Sequence, residues 1–252
     1  MKNEKFLTLV INLDRSPQRL ANMARQLAGM GMSWERLPAA EGKLFSLEDP
    51  SLVDLPEFGR RHGKWPVHGE LGCYLSHVWA MRRFLETEQP YALILEDDAQ
   101  LTATLPGVLT ALADHFREWD MVKLSGVHVG TPLKLLHLSE GAYLTVMLTP
   151  YTGSSAYVVN RHAAQSYLDR LLPMRVPYDH EFDRGWHWQL KIRAVTPSPC
   201  LHDQDGESMI NGHKVKRNFH WTKRWSALRW RMGNQWRRAV EGGTVWLRSK
   251  LV

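Results

Sequence analysis

Hydrophobic positions follow two spacings along this chain. Some form short continuous runs of strand length, as at 5–13 and 91–95, while others recur every three or four residues, as in helices. The first run, "KFLTLVINL", predicts a strand. A helix is predicted to follow it, with Ser16 as N-cap, Pro17 at the first helical position and Gly29 as the stop signal.

The same alternation of strands and helices continues to residue 196. "GELGCYLSHVWAMRRFLE" predicts a helix and "YALILEDD" a strand, whereas the Pro- and Gly-punctuated residues 46–68 look irregular. Further helices are predicted near 105–116 and 160–172, and further strands at "DMVKLS" and near 143–148, 154–159 and 190–196. This order predicts an α/β fold with a mostly parallel central sheet flanked by helices.

Composition adds constraints on the class of protein. The 252 residues are 44% hydrophobic and 23% charged, as in globular proteins. No apolar run approaches the roughly 20 residues that span a bilayer, and the N-terminal "MKNEKFLTLVINLD" has no signal-peptide core. Cys73 and Cys200 are far apart and have no CxxC spacing, which argues against a structural zinc site. This cysteine usage agrees with a reduced cytosolic compartment.

The net charge of +6 is unevenly distributed. Residues 213–252 carry a balance of +10 and five of the eleven tryptophans, so the rest of the chain sums to −4. We therefore expect a catalytic domain over residues 1–212 and a basic Trp/Arg-rich tail over residues 213–252.

Three consecutive acids, Glu96, Asp97 and Asp98, follow the apolar run at 91–95. Ligands of open α/β sheets bind at the carboxyl ends of strands. Because side chains alternate along a strand, Glu96 and Asp98 are expected to point the same way and Asp97 elsewhere. Two like charges about 4 Å apart cost about 4 kcal/mol at an effective dielectric near 20, and a hard divalent cation would turn that cost into attraction. The alternative is a turn whose acids face water.

Several separate motifs then resemble one family. "LVINLDRSPQR", "PAAEGK", "GELGCYLSHVWAMRRFLE" and "YALILEDDA", followed by "DMVKLSG" and "SSAYVVNRHAAQSYL", resemble glycosyltransferase family 25, over roughly residues 5–210. This family contains the bacterial lipooligosaccharide glycosyltransferases and is related to the collagen galactosyltransferases. It usually has Asp-Gly where this chain has Glu41-Gly42.

The resemblance implies a GT-A-like fold, a UDP-sugar donor and a divalent metal, Mn²⁺ or Mg²⁺. It also implies inverting transfer that forms a β-linkage, most often of galactose from UDP-galactose. The residue chemistry agrees, because a metal would neutralise the departing diphosphate. The sequence contains no GxxxxGK[ST] or GxGxxG loop that would cradle phosphate instead.

Specific residues follow from these motifs. Glu96 and Asp98 are predicted metal ligands, and His202 is the candidate third ligand. The predicted donor-binding residues are Asn12, Arg15, Arg19, Glu70, Ser76, His77, Asp97, Gln204 and Ser208. For the arginines the alternative is an ordinary surface charge, and for His77 it is a core histidine with satisfied hydrogen bonds.

Inverting transfer also needs a general base for the acceptor hydroxyl. "VPYDHEFDRGWHW" supplies several acids; the resemblance places the family's aspartate at Asp179, with Glu181 as second choice. The alternative is that these acids only stabilise a helix N-terminus.

The tail has helical periodicity over residues 218–240. Its apolar stripe consists of Trp221, Trp225, Leu228, Met232, Trp236 and Ala239, flanked by Arg224, Arg231 and Arg238. Such a helix is typical of peripheral contact with an anionic membrane surface. The family's lipid-linked oligosaccharide acceptors, on the cytoplasmic face of the bacterial inner membrane, agree with that interpretation. The alternative is a helix packed on the body with solvated arginines, and Gly233 and "EGG" near 241–243 are expected to break or bend it.

Two other functions compete with glycosyl transfer onto a lipooligosaccharide or lipopolysaccharide core. The basic Trp-rich tail suits nucleic acid, but the body shows no nucleic-acid module, so no nucleic-acid partner is expected. A metal-dependent phosphoesterase would use the acid cluster, yet it would normally need more His and Asp ligands.

Overall fold

The computed structural model describes residues 5–126, 130–139, 141–153, 155–202 and 224–251. The strands are β1 (Phe6–Asn12), β2 (Glu35–Pro38), β3 (Tyr91–Glu96), β4 (Ala99–Leu101), β5 (Met121–Lys123), β6 (Pro132–His137), β7 (Tyr143–Met147), β8 (Ala156–Asn160), β9 (Ile192–Thr196) and β10 (Cys200–His202). The α-helices are α1 (Pro17–Gly29), α2 (Leu55–His62), α3 (His68–Leu85), α4 (Leu105–Asp114), α5 (Arg161–Leu168), α6 (Tyr178–Phe182), α7 (Gly185–Trp188) and α8 (Trp225–Ser249).

Eight of these strands form one sheet in the order β2-β1-β3-β8-β5-β9-β7-β6. The pairings orient β7 and β8 against the other six strands. Most strands therefore run in one direction, as predicted, but the reversed β8 and β7 make four of the seven described pairings antiparallel. The fold is α/β with a mixed sheet. β4 and β10 form a separate antiparallel pair.

The central strands are buried on both faces, which explains their continuous apolar sequence. In β3, Ala92 and Ile94 pack into the core on the side of α3 and α5, whereas Leu93 and Leu95 pack into the core on the side of α1 and α4. Helices thus cover the sheet on both sides, and the prediction that helices flank the central sheet is confirmed.

Residues 46–68 are not wholly irregular, contrary to the prediction. Helix α2 occupies Leu55–His62; the Asp54 side chain accepts a hydrogen bond from the Glu57 N–H, and Gly63 ends the helix at φ +73°. A helix of eight residues offers too few repeats for its apolar period to emerge from the sequence.

Within the described part of the tail, residues 224–251, α8 runs without interruption over Trp225–Ser249, so the predicted break near residues 241–243 is wrong. Gly242 is accommodated because it lies against β7: an added Cβ would come within 3.2 Å of the Met147 carbonyl oxygen. The helix packs on α2, β6, β7 and α7. Although α8 has 25 residues, neither it nor any other helix in the described ranges is long and apolar enough to cross a membrane.

Candidate active site

The carboxyl ends of β2, β1 and β3 meet at one edge of the sheet, because these three strands are parallel neighbours. A cleft of about 180 Å³ opens between this edge and the first turns of α3. Its polar and charged lining residues are Arg15, Arg19, Glu41, Cys73, Ser76, His77, Glu96, Asp97 and Asp98. Most of the predicted donor and metal residues therefore line one cleft.

One wall of the cleft is the loop after β2, pressed closely onto α3. The buried Ser76 hydroxyl accepts a hydrogen bond from the Ala40 N–H (2.8 Å) and donates one to the Gly72 carbonyl (2.7 Å). A Cβ at Gly72 would lie 2.7 Å from the Ala40 oxygen, and a Cβ at Gly42 would overlap the His68 carbonyl. Gly42 of "PAAEGK" and Gly72, the second glycine of "GELG", are thus required by backbone contact.

Glu96 is held by a buried histidine. His77 Nε2 lies 3.1 Å from Glu96 Oε1, and its Nδ1 lies 3.0 Å from the Tyr157 hydroxyl. The imidazole is only 1% exposed, and it stacks on the Tyr178 ring with centroids 4.0 Å apart. His77 is a core histidine with satisfied hydrogen bonds that also orients a carboxylate of the cleft.

Asp97 and Asp98 both pair with the guanidinium of Arg19. Arg19 Nη1 lies 3.5 Å from Asp97 Oδ1 and 3.8 Å from Asp98 Oδ2. Asp97 Oδ2 also accepts a hydrogen bond from Asn12 Nδ2 at 2.6 Å. Burial raises the pKa of Asp97, while Asn12 and Arg19 act to lower it. The protein itself therefore offsets part of the repulsion among the three acids.

The expectation from strand alternation that Asp97 points elsewhere than Glu96 and Asp98 is wrong. β3 ends at Glu96, and the next two residues form a turn, so strand alternation no longer applies. All three acids line the same cleft.

Two predicted donor residues, Arg15 and Glu70, have local partners. Arg15 forms an ion pair with Glu41 at the cleft. Glu70 lies in the first turn of α3, where its carboxylate accepts a hydrogen bond from the Val67 N–H (3.2 Å), and it is not among the lining residues. Glu70 therefore stabilises the start of the helix that forms the cleft.

Two residues of this region escaped prediction. Arg36 Nε donates to Asn12 Oδ1 at 3.0 Å, fixing the amide that binds Asp97. Cys73 brings its thiol close to His77 and Glu96: one potential ligand atom from each lies within 4.8 Å of the others. Helical spacing places Cys73 and His77 on one face of α3, but Arg36 becomes visible only when β2 pairs with β1.

The ligand atoms that the acids offer determine which metal suits the cleft. Glu96 and Asp98 offer carboxylate oxygens, which hard cations such as Mn²⁺ and Mg²⁺ prefer. His77 has one ring nitrogen in contact with Tyr157 and the other with Glu96, so it serves the Glu96 carboxylate as a positioning group. The residues present thus fit an oxygen-ligated divalent cation.

The remaining predicted ligands lie on the last body segment. β10 pairs His202 with Ala99, so the backbone returns beside the residue that follows Asp98. The His202 side chain, Gln204 and Ser208 lie outside the described residues.

Asp179 lies next in sequence to a residue that packs on the cleft histidine. Its Oδ2 accepts from the Gly153 N–H (3.2 Å) and its Oδ1 from the His180 N–H (3.0 Å), and it directly follows Tyr178, which stacks on His77. Burial raises the pKa of the Cys73 thiol, and the charges of Glu96, Asp179 and Asp98 add to this effect. Asp179 is therefore within electrostatic reach of Cys73, which lines the cleft.

Glu181 has a different environment. It is 4% exposed and accepts a hydrogen bond from Arg184 Nη1 at 2.7 Å. Burial raises its pKa, opposed by the charge of Arg184. This buried ion pair engages Glu181 in the protein interior, so the geometry favours Asp179 of the two candidates.

Comparison with known proteins gives a consistent family. A sequence profile described as "Glycosyltransferase family 25 (LPS biosynthesis protein)" matches residues 6–182. A "Glycosyltransferase 25 family member" of Aedes aegypti is 30% identical over 120 residues, which are 45% of this chain and 20% of that protein. "Procollagen galactosyltransferase 2" of Homo sapiens is 26% identical over 121 residues, 45% of this chain and 19% of that protein.

A longer match has lower identity. "Probable inactive glycosyltransferase 25 family member 3" of Bos taurus is 24% identical over 217 residues, 76% of this chain and 35% of that protein. The chain thus spans between about a fifth and a third of these curated relatives. Among solved structures, "Crystal Structure of A197 from STIV" aligns with a TM-score of 0.44 at 11% identity, covering 79% of this chain and 86% of that chain.

Proposed function

This chain belongs to glycosyltransferase family 25, and on that premise we propose that it transfers a sugar from a nucleotide-sugar donor bound in the cleft. The observation that carries the proposal is the convergence of Arg19, Glu96, Asp97 and Asp98 in one cleft at the carboxyl edge of the sheet. The galactosyltransferases among the relatives favour UDP-galactose as donor. Family membership favours glycosyl transfer over the nucleic-acid and phosphoesterase alternatives.

The donor would lie along this edge with its diphosphate near the acids. Arg19 pairs with Asp97 and Asp98, and it would contact the diphosphate once a metal occupies the acid cluster. Asn12, fixed by Arg36, holds Asp97 in place. Arg15 and Glu41, paired across the mouth, would bound the nucleoside end.

Glu96 and Asp98 would hold Mn²⁺ or Mg²⁺, and His202 remains the candidate third ligand. A bound cation would neutralise the negative charge that develops on the diphosphate. His77 keeps the Glu96 carboxylate turned into the cleft.

Asp179 is our candidate general base for an inverting reaction. Its two oxygens accept hydrogen bonds from backbone N–H groups, which fix the carboxylate beside the cleft. From there it would take the proton of the acceptor hydroxyl as that oxygen attacks the anomeric carbon from the face opposite the diphosphate, giving a β-linkage.

The acceptor would be lipid-linked, such as a lipooligosaccharide or lipopolysaccharide core on the cytoplasmic face of a bacterial inner membrane. The supporting observation is α8, which packs one side on the body and leaves apolar side chains exposed on the other. Trp225, Met232 and Leu247 are each more than half exposed, and Arg229 and Arg248 are exposed on the same helix. An apolar face with neighbouring arginines suits an anionic bilayer surface.

The direct test is calorimetric titration of the full chain with a panel of UDP-sugars, in Mn²⁺ and in EDTA. The matched variants are Asp98→Ala in the cleft and Asp114→Ala, an exposed acid at the end of α4. We expect one UDP-sugar to bind in Mn²⁺ and to lose at least about tenfold in affinity in EDTA and in Asp98→Ala.

Asp114→Ala should match the wild type. Absence of binding for every UDP-sugar in Mn²⁺ would contradict the donor site, whereas equal binding in EDTA would contradict only the metal.

A further inference from the structure

A second, larger cleft of about 820 Å³ lies where α8 meets the body, outside the candidate donor site. The body contributes the end of α2, the segment 150–152 and α6, and α8 contributes its middle turns. Its lining includes His62, Lys64, His180, Arg184, Trp230 and Arg231. We call this the α8 cleft.

The α8 cleft is strongly basic. Lys64, Arg184, Arg231 and Arg238 line it, opposed by a single acid among the described lining residues, Asp183. That acid is already engaged, since its carboxylate lies 2.9 Å from Lys123 Nζ and 3.5 Å from Arg238 Nη2. The balance of charge left to a ligand is therefore positive.

Two of these cations retain capacity for a ligand. Lys64 forms no ion pair with any residue in the described part of the chain. Arg184 binds Glu181 through Nη1, but its buried Nε has no hydrogen-bond partner among the described residues. Arg231 Nη2 donates to the His62 carbonyl, which holds that guanidinium at the cleft wall.

The same cleft contains aromatic surface. Trp230 lies beside Arg184, whose guanidinium carbon is 5.3 Å from the indole centroid, and Trp236 is 69% exposed at the rim. Flat aromatic faces beside fixed cations and polar groups match a ligand that has both an apolar face and a negative charge.

The α8 cleft also adjoins Asp179. His180, the next residue, lines it, and so does Thr152, which precedes the Gly153 that donates to Asp179. On its other side, Asp179 follows Tyr178, which stacks on His77 of the donor cleft. The candidate base thus lies in the chain between Tyr178, which packs on His77 of the donor cleft, and His180, which lines the α8 cleft.

We propose that the α8 cleft is the acceptor subsite and that it takes a negatively charged saccharide, one bearing a phosphate or a carboxylate. This rests on the proposed function and adds the chemical class of acceptor. Lys64, Arg184 and Arg231 would bind the anion, Trp230 would pack against a sugar ring, and the hydroxyl to be glycosylated would face Asp179.

The test is NMR titration of the full chain in Mg²⁺, which is diamagnetic, and UDP, with four probes: glucose 6-phosphate, glucuronate, glucose and inorganic phosphate. The readout is the indole N–H resonance of Trp230, assigned by its loss in Trp230→Phe. The variants are Lys64→Gln and Arg231→Gln, with Arg229→Gln as the control because Arg229 is exposed on α8 and does not line the cleft.

We expect glucose 6-phosphate and glucuronate to bind at least about tenfold more tightly than glucose, as a charge-assisted contact allows. That preference should be lost in Lys64→Gln and Arg231→Gln and kept in Arg229→Gln. The proposal would be overturned if glucose bound as tightly as the charged saccharides, or if Arg229→Gln lost the preference as fully as the cleft variants do. It would also be overturned if inorganic phosphate bound as tightly as glucose 6-phosphate, since that would show a site for a bare anion.

UDP-galactose affinity, measured in parallel on the same variants, should stay within about twofold of wild type. If no UDP-sugar binds while the charged saccharides still shift Trp230, the proposed function fails and the saccharide site stands. If UDP-galactose binds and the charged saccharides do not, the acceptor subsite alone is wrong.

Discussion

At the scale of single residues, the position of the Glu96 carboxylate depends on His77, because both ring nitrogens of this histidine make polar contacts. It contacts Glu96 through Nε2 and Tyr157 through Nδ1, and its ring stacks on Tyr178. The side chain thus couples a carboxylate of the donor cleft to the segment that carries Asp179. A positioning residue of this kind should affect both the fold and the metal.

His77→Phe tests this role, since phenylalanine keeps an aromatic ring against Tyr178 and removes both polar contacts. Leaving the Tyr157 hydroxyl and Glu96 without this partner should cost about 1–3 kcal/mol in free energy of unfolding. Mn²⁺-dependent donor affinity should also fall, because Glu96 loses its orientation. Chemical denaturation and calorimetry measure the two effects.

His162→Phe is the control, because His162 is exposed on α5. If His77→Phe lowered stability but left the Mn²⁺ dependence of donor binding intact, His77 would be a core residue only.

At the scale of elements, the donor cleft owes its shape to the backbone contact between the loop after β2 and α3. The close approach of Gly72 to the Ala40 oxygen leaves no room for a side chain. A methyl group added at Gly233, in the middle of α8, would by contrast meet no atom of the described residues within 4 Å. The two glycines therefore predict opposite outcomes for the same substitution.

Gly72→Ala should destabilise the protein by about 1–3 kcal/mol, because the loop must move, and it should weaken donor binding. Gly233→Ala should stabilise it by about 0.5–1 kcal/mol through helix propensity. Thermal unfolding of both variants, with donor titration, measures this. Wild-type donor affinity in Gly72→Ala would contradict the importance of the loop contact.

At the scale of the whole molecule, α8 has two faces with different tasks. Ala227, Arg238 and Gly242 are buried against the body, whereas Trp225 and Leu247 are exposed. The alternatives of a packed helix and a membrane-facing helix are therefore compatible. Arg238, predicted to flank the membrane stripe, instead pairs with buried Asp183.

Membrane contact predicts that the chain co-sediments with anionic phosphatidylglycerol vesicles and only weakly with phosphatidylcholine vesicles. Binding to the anionic vesicles should weaken as the salt concentration increases. The double variant Trp225→Ser, Leu247→Ser should bind at least about tenfold less tightly, since it removes two exposed apolar anchors. Phe116→Ser is the control, an exposed apolar residue remote in sequence from α8. Equal binding by the double variant and the wild type would show that this face does not meet the bilayer.

The sequence was informative where local pattern determines the outcome. β3, α3 and the acids after β3 could be placed because strand runs, helical spacing and strand ends are local signals. The alternation failed at Asp97 because the strand ends at Glu96, two residues earlier than predicted. The contacts of Arg36 and Arg238 depend on which segments meet in the fold, and no periodicity encodes that. The contact between Gly72 and Ala40 is likewise a product of tertiary approach.

The central claim is that a donor bound at the acid cluster reacts beside Asp179, and one comparison tests it most directly. UDP release from UDP-galactose, with water or a saccharide as acceptor, is measured for wild type and Asp179→Asn together with UDP affinity. We predict that Asp179→Asn binds UDP within about twofold of wild type but releases it about 10²–10⁴ times more slowly. Wild-type rates in Asp179→Asn would contradict the claim that this carboxylate is the base.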